Sequence, residues 1–173
     1  MAVDSARIGR RLNDARAAGQ GGRWPSASAV GIYGGVDELI EIELARLVIQ
    51  EKGDQQYIHL RERTGERAFP IVIGFSEAME ISRKLRGAQM PRPMTHDLVT
   101  KVLDTLGWTL ERIVINDLRD STFFALLVLR SATNGKSQEK VVDCRPSDAI
   151  ALAAQARCKI YVSKKVLDEV APA

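Results

Sequence analysis

The sequence predicts an α+β fold, and three observations predict it. Short apolar, β-branched segments of strand length recur between Gly, Asp, Asn and Pro punctuation; three amphipathic stretches follow a helical period; and the strands come in groups instead of alternating one for one with helices. The chain has 173 residues, 45% of them hydrophobic and 27% charged. That length suits one domain with a full core, and that composition is typical of a soluble globular protein. The longest dense apolar run, Thr122 to Leu129, is strand-sized. It falls well short of the ~20 residues that span a bilayer, so no membrane segment is expected.

Residues 1–35 are rich in Gly, Ala, Ser and Arg and hold no sustained apolar period, which predicts a flexible basic N-terminal extension ahead of a domain over residues 36–170. Ile40, Ile42 and Leu44 alternate with Glu41 and Glu43 as in a half-buried strand, yet Ile40, Leu44, Leu47 and Val48 also satisfy a helix, and both readings stand. Gly53-Asp54 marks a turn, Gln56 to Arg61 a strand, and Thr64-Gly65-Glu66 a turn into the strand Ala68 to Ile73. Ser76 is the expected N-cap of a helix to Arg86, stopped by Gly87. Pro91 and Pro93 forbid helix between them, and Thr95 is the expected cap of a central helix through Leu98, Val102, Leu103 and Leu106, ended by Gly107. Trp108 to Asn116 and Thr122 to Arg130 read as strands joined by a polar turn over Leu118-Arg119-Asp120-Ser121. A loop over Ala132 to Gln138, with Asn134-Gly135, leads to a strand Lys140 to Asp143. Ser147 is the expected cap of a helix over Asp148 to Ala156, followed by a strand Lys159 to Ser163 and a last turn over Val166 to Val170.

The two halves match in outline. Leu60-Arg61, a polar loop, Ile71-Val72-Ile73 and Ser76 to Ile81 run parallel to Leu129-Arg130, a polar loop, Val141-Val142-Asp143 and Ser147 to Leu152. The expectation is therefore a duplicated strand-strand-strand-helix unit around one core, with an extra central helix.

Charge and cysteine usage narrow the function classes. Five arginines stand against Asp4 and Asp14 in residues 1–35; removing these from the totals of 25 basic and 22 acidic residues leaves 20 of each, so the rest of the chain is formally neutral. The pI near 9.0 thus belongs to the extension, and bulk charge gives no argument for a nucleic-acid partner. The first residues, MAVDSARIGRR, contain no apolar signal region, so a cytoplasmic location is expected. There Cys144 and Cys158 would be reduced thiols, and Arg157 and Lys159 flanking Cys158 could favour its thiolate. Trp24, Trp108 and the Phe123-Phe124 pair read as packing, and His59 as a surface or cross-strand residue.

Three segments place polar groups beside apolar ones: Arg92-Pro93-Met94-Thr95-His96-Asp97, Asn116-Asp117-Leu118-Arg119-Asp120 and Asp143-Cys144-Arg145-Pro146-Ser147-Asp148. The first and third run from Arg-Pro to a hydroxyl to an acid at a helix start. Free N–H groups at a helix N-terminus attract phosphate, and Arg92 and Arg145 would bind its oxygens as forked donors. Asp97, Asp143 and Asp148 supply the oxygen ligands that Mg²⁺ or Mn²⁺ prefers, and His96 could act as general base or protonate a leaving oxygen. The alternative reading is structural: an acid in the first helical turn complements the dipole for ~0.3–1 kcal/mol, and Glu77 holds the same place without an Arg-Pro before it.

The segments Arg92 to Leu98, Leu106-Gly107, Ile113-Val114-Ile115 and Thr122 to Ala125, and above all Asp143-Cys144-Arg145-Pro146-Ser147-Asp148-Ala149-Ile150-Ala151-Leu152-Ala153, resemble the signature of the bifunctional nuclease family. Pro70 to Gly74 with Glu77-Ala78 extends the resemblance, which covers about 130 of the 173 residues. It implies an α+β fold, an enzyme that degrades both DNA and RNA, and self-association, with a dimer favoured. The site residues are read from the motifs and not carried over from the family. Two functions follow as expectations. One is a metal-assisted, sequence-tolerant nuclease with Asp97, Asp143 and Asp148 on the cation, Arg92 and Arg145 on the phosphate and His96 moving a proton. The other is a non-catalytic, anion- or partner-binding module that forms homo-oligomers.

Overall fold

Ile42, Leu44 and Leu47 decide the ambiguity at the start of the domain. In the computed structural model, which describes residues 38–50, 55–133 and 136–172, they lie on a strand, β1 (Leu39–Val48), with all three buried against one core. A register shift between Leu44 and Arg46 sets both Leu44 and Leu47 on the core face, so a spacing of three that looks helical is produced by a bulge. β1 is followed by β2 (Gln56–Glu62) and β3 (Ala68–Ile73), then α1 (Phe75–Arg86) and α2 (Thr95–Thr105). β4 (Thr109–Arg119), β5 (Thr122–Thr133) and β6 (Lys136–Cys144) lead to α3 (Pro146–Ala156), β7 (Lys159–Ser163) and α4 (Lys164–Val170). The extension over residues 1–35 and the Gly53-Asp54 and Asn134-Gly135 turns lie outside the described residues.

The seven strands form one mixed sheet in the order β3-β2-β1-β7-β4-β5-β6. All pairings are antiparallel except β4 with β7. Each half is thus an antiparallel three-stranded meander followed by a helix, with β7 between the meanders and α2 the additional helix, consistent with the expected α+β class. Shared ancestry of the two units does not follow from that order alone.

The helices cover one face of the sheet. Alternation sends Ile58 and Leu60, Phe69 and Ile71, Ile113 and Ile115, Ala125, Leu127 and Leu129, and Ile160 and Val162 into the core beneath them, where Ala149, Ile150 and Leu152 of α3 meet them. A smaller cluster of Val114, Leu126, Val128 and Tyr161 occupies the opposite face. The sheet curls: Phe69 of edge strand β3 stacks on Phe123 of β5 with ring centroids 5.9 Å apart, although four strands separate theirs in the sheet. The curl brings the β3 edge close to the β4–β5 hairpin and the start of α3, which positions the site. Among the described residues no helix is long and apolar enough to cross a membrane.

Several expected boundaries move. The Ala132–Gln138 loop is instead ladder, because Ser131↔Gln138, Ala132↔Ser137 and Thr133↔Lys136 continue the β5–β6 pairing; polar residues there sit on an edge strand. None of Ser76, Thr95 and Ser147 caps its helix. The N-caps are Gly74, Met94 and Arg145. For α3 the reason is Pro146, whose missing N–H and preset φ suit the first helical position and displace Ser147 to the second. In α2, Asp97 takes the capping role, accepting the Met94 N–H at 3.0 Å.

Candidate functional site

α1, α2 and α3 pack side by side, and their facing surfaces carry charge. On α1, Ala78, Ile81, Ser82 and Lys84 turn inward, while Glu77, Glu80, Arg83 and Lys84 follow one another at spacings of three and four, so that they line one side of the helix. α2 contributes His96 and Asp97 from its first turn, and α3 contributes Arg145, Asp148 and Gln155.

These groups form one continuous chain. Arg83 grips Glu80 with two bonds, at 2.8 and 2.7 Å, and reaches Asp97 Oδ2 at 2.9 Å. Lys84 Nζ donates to Asp97 Oδ1 and Gln155 Oε1 and stands 3.6 Å from Glu80. The imidazole of His96 lies between two carboxylates, Nδ1 3.4 Å from Glu80 Oε1 and Nε2 3.1 Å from Asp148 Oδ1. Arg145 in turn holds Asp148 through Nε at 2.9 Å and Nη2 at 3.1 Å, and Glu77 through Nη1 at 2.8 Å. Side-chain exposure rises along the chain from 3% at Lys84 through 18% at His96 to 65% at Arg145. One end of the network is interior and the other opens to solvent.

The electrostatics follow from these contacts. Burial pushes the Asp97 carboxyl up, but the ammonium of Lys84, the Met94 amide and the Arg83 guanidinium outweigh it and hold the group at about 2. The Arg83 guanidinium lowers Glu80. For Asp148, burial works upward and the bonds from Arg145 and His96 bring it below the usual aspartate range. Glu77 is lowered first by its own backbone N–H and then by Arg145. The paired guanidinium of Arg145 is raised by Asp148 and Glu77.

His96, Asp148 and Arg145, all singled out from the sequence, meet at the open end. Asp97 and Asp143 do not join them. Asp97 is engaged at the interior end by Lys84 and Arg83, beyond Glu80 and His96 along the network. Asp143 faces away: it pairs with Leu126, which belongs to the cluster on the helix-free face, whereas its neighbour Cys144 pairs with Ala125 and packs into the helix-covered core. Strand alternation therefore separates Asp143 from Asp148 by the thickness of the sheet. The three-aspartate cation site is not assembled, and among the described residues no three His, Cys, Asp or Glu side chains converge as metal ligands. Arg92 is exposed in the connection between α1 and α2, outside the network. The Asn116–Asp120 segment ends β4 and its hairpin, where Asp117 accepts from Arg119 at 2.6 Å.

The cysteines correct one expectation. Both are free, and burial pushes each thiol up to about 12, so the flanking Arg157 and Lys159 leave Cys158 far from a thiolate. Trp24 lies outside the described residues; Trp108 and Phe123 pack against the core, and Phe124 lies under the Arg119 guanidinium.

Five members of the network, Glu77, Glu80, Arg83, Lys84 and Gln155, were missed in the sequence or, for Glu77, set aside. Their signal was available: Lys84 lies at helical spacing from Ala78 and Ile81 on an otherwise apolar face, and a lysine in that position needs partners.

Comparison with known proteins agrees with the motifs. An uncharacterized protein of Mycobacterium tuberculosis is 35% identical over 127 residues, 73% of each chain. Bifunctional nuclease 2 of Oryza sativa subsp. japonica is 29% identical over 116 residues, 66% of this chain and 34% of that one, and bifunctional nuclease 1 of the same plant is 24% identical over 98 residues, 56% of this chain and 29% of that one. The bifunctional nuclease domain model matches residues 58–172, a span that holds every member of the His96–Asp148–Arg145 cluster and all of the sheet but β1 and the first two residues of β2. With two thirds of its length inside that match, the chain belongs to the bifunctional nuclease domain family.

Proposed function

We propose that the protein is a nuclease that hydrolyses phosphodiester bonds of DNA and RNA with little sequence preference, acting at the solvent-facing end of the helix network. The observation that carries this reading is the meeting of Arg145, Asp148 and His96 beside a cleft, in a chain whose plant relatives bear the name nuclease. Arg145 offers a forked cation to phosphate oxygens. Asp148, ionised at neutral pH, accepts the proton of the attacking water as the new P–O bond forms. His96, bonded to Asp148 on one ring nitrogen and facing Glu80 with the other, orients that carboxylate and shares the proton; the pair returns it to the sugar oxygen released when the old P–O bond breaks. Mg²⁺ or Mn²⁺ would bind through Glu77 and Asp148, which already face one guanidinium, with phosphate oxygens and water completing the shell, and would supply charge neutralisation at phosphorus.

The test is cleavage of single-stranded DNA and RNA by the purified chain, with and without EDTA, alongside His96→Ala and Asp148→Asn. We expect both substitutions to lower the rate by at least about a hundredfold. A chain that cuts neither substrate with Mg²⁺ or Mn²⁺ supplied, or variants as active as the parent, would overturn the reading. Self-association is part of the same proposal. It is supported by the exposed row of Met94, Leu98, Val102 and Leu106 at spacings of four on α2, and a monomer by sedimentation at micromolar concentration would remove it.

A further inference from the structure

We infer that the cleft beside Arg145 seats one phosphodiester of the substrate, with a non-bridging oxygen on the Ser147 hydroxyl and the first amides of α3; the inference rests on the nuclease reading and names the atoms that would hold its substrate. The cleft, of about 410 Å³, lies between the β3 edge, the β4–β5 hairpin and the start of α3. Ser147 is 6% exposed, lines this cleft and makes no hydrogen bond through its hydroxyl among the described residues. Its oxygen is not sealed from solvent, and the cleft that the residue lines is where a ligand oxygen can meet it.

The backbone beside it is in the same condition. Arg145, the N-cap of α3, donates its side chain to Asp148 and Glu77 and caps nothing. Pro146 has no N–H, so the amides of Ser147 and Asp148 stand at the second and third helical positions, where no intrahelical acceptor exists. The other helix starts along this surface have acceptors: the Glu77 carboxylate bends over Gly74, so close that a Cβ added there would lie 2.4 Å from its Oε2, and Asp97 serves α2. Two amides and one hydroxyl thus lie beside the Arg145 fork, whose own acceptors are Asp148 and Glu77.

Charge selects the ligand. With no cation on Glu77 and Asp148, Arg145 is opposed by both, so the cleft is not strongly cationic, and a dianionic phosphate monoester would meet two carboxylates. A phosphodiester carries a single charge and can rely on the neutral donors of α3. The exposed side chain of Val72 and the ring of Phe123 form an apolar wall on which the adjoining sugar can rest.

The experiment titrates the ¹⁵N-labelled full chain with the dinucleoside monophosphate dTpdT and, separately, with thymidine 5′-monophosphate. We expect dTpdT to move the amide resonances of Ser147 and Asp148 and to bind more tightly than the monoester. Ser147→Ala should weaken dTpdT binding about tenfold, as loss of one hydrogen bond to a charged oxygen does, and should leave the melting temperature unchanged because the hydroxyl bonds nothing in the free protein. Unchanged affinity in Ser147→Ala, shifts that map away from α3, tighter binding of the monoester, or a lowered melting temperature in the variant would each overturn the inference. A chain that cleaves DNA yet binds dTpdT away from Ser147 loses this inference and keeps its nuclease activity. One that binds dTpdT at Ser147 and cleaves nothing keeps the site and loses the activity, and one that binds no dTpdT loses the site.

Discussion

Replacing Asp97 by Asn tests whether that residue works for the fold or for chemistry. Its carboxyl sits at about 2, against 3.8 for a free aspartate. That depression corresponds to roughly 2 kcal/mol of native-state preference for the charged form, and to about 1–2 kcal/mol once the solvent screening of a side chain 22% exposed is allowed for. Because the folded value is the lower one, the contribution is fully present above the unfolded value near 4 and is lost as pH falls through about 2. The Asn variant also leaves Lys84, nearly sealed from water, with Gln155 and a Glu80 oxygen 3.6 Å away, so the larger figure is the better expectation. At roughly 2–4 °C per kcal/mol for a chain of this length, Asp97→Asn should melt about 4–8 °C lower at pH 7 by circular dichroism. The gap to the parent should narrow between pH 4 and pH 2, where the parent's own carboxyl takes up its proton. Cleavage, measured below the variant's melting temperature, should survive. A variant that melts like the parent at pH 7 but has lost cleavage would refute the assignment and return Asp97 to the catalytic centre.

Further outcomes follow from the same geometry. Asp143→Asn, a change on the helix-free face, should alter neither cleavage nor stability by more than about 0.5 kcal/mol; loss of activity in this variant would mean that the carboxylate reaches the cleft after all. Arg157 closes α3 in the left-handed region at φ 55, ψ 35, where an L side chain costs about 1–2 kcal/mol and glycine costs little, so Arg157→Gly should raise stability by about 0.5–1 kcal/mol in urea unfolding. With their thiols pushed up to about 12, Cys144 and Cys158 should ignore Ellman's reagent at pH 8 until the chain is unfolded, and rapid stoichiometric reaction of the native protein would show that burial has been misjudged.

Much of the fold was legible because local rules and tertiary packing agree. Alternation placed β2, β3 and β7 almost to the residue, and Gly87 and Gly107 ended their helices in the left-handed region, as glycine allows. Where the rules failed, a longer-range effect had won. The bulge in β1 imitates a helical period. Pro146 took the first helical position that Ser147 would have had to precede as a cap. The Asp143–Asp148 pairing suggested by proximity in sequence was broken by a property of strands: the last residues of β6 point alternately to opposite faces, and no motif records which face a given acid receives. Glu80, Arg83 and Lys84 were hidden for a different reason. Their partners come from α2 and α3, and although Lys84 on an apolar face shows that partners are needed, nothing on one helix says which residues supply them.

The gradient of exposure along the network bears on which of these residues can do chemistry. A charge held at Lys84, 3% exposed, interacts strongly with Asp97 because little water screens it, and both residues are tied into the helix packing and costly to remove. At Arg145 the position is reversed: the guanidinium is mostly solvated, its pairs with Glu77 and Asp148 are weak in net terms, and it can exchange a carboxylate for a phosphate oxygen at small cost. His96 and Asp148 stand between, partly screened, linked on one side to a rigid anchor through Glu80 and on the other to Arg145, which lines the cleft. A proton can be moved there without breaking the helix packing, since Arg83 and Lys84 keep Glu80 charged and in place while Asp148 changes partners. The interior half of the network thus supplies the rigidity that a proton-transferring pair requires, which is why loss of Asp97 should appear in melting curves and loss of Asp148 in cleavage rates.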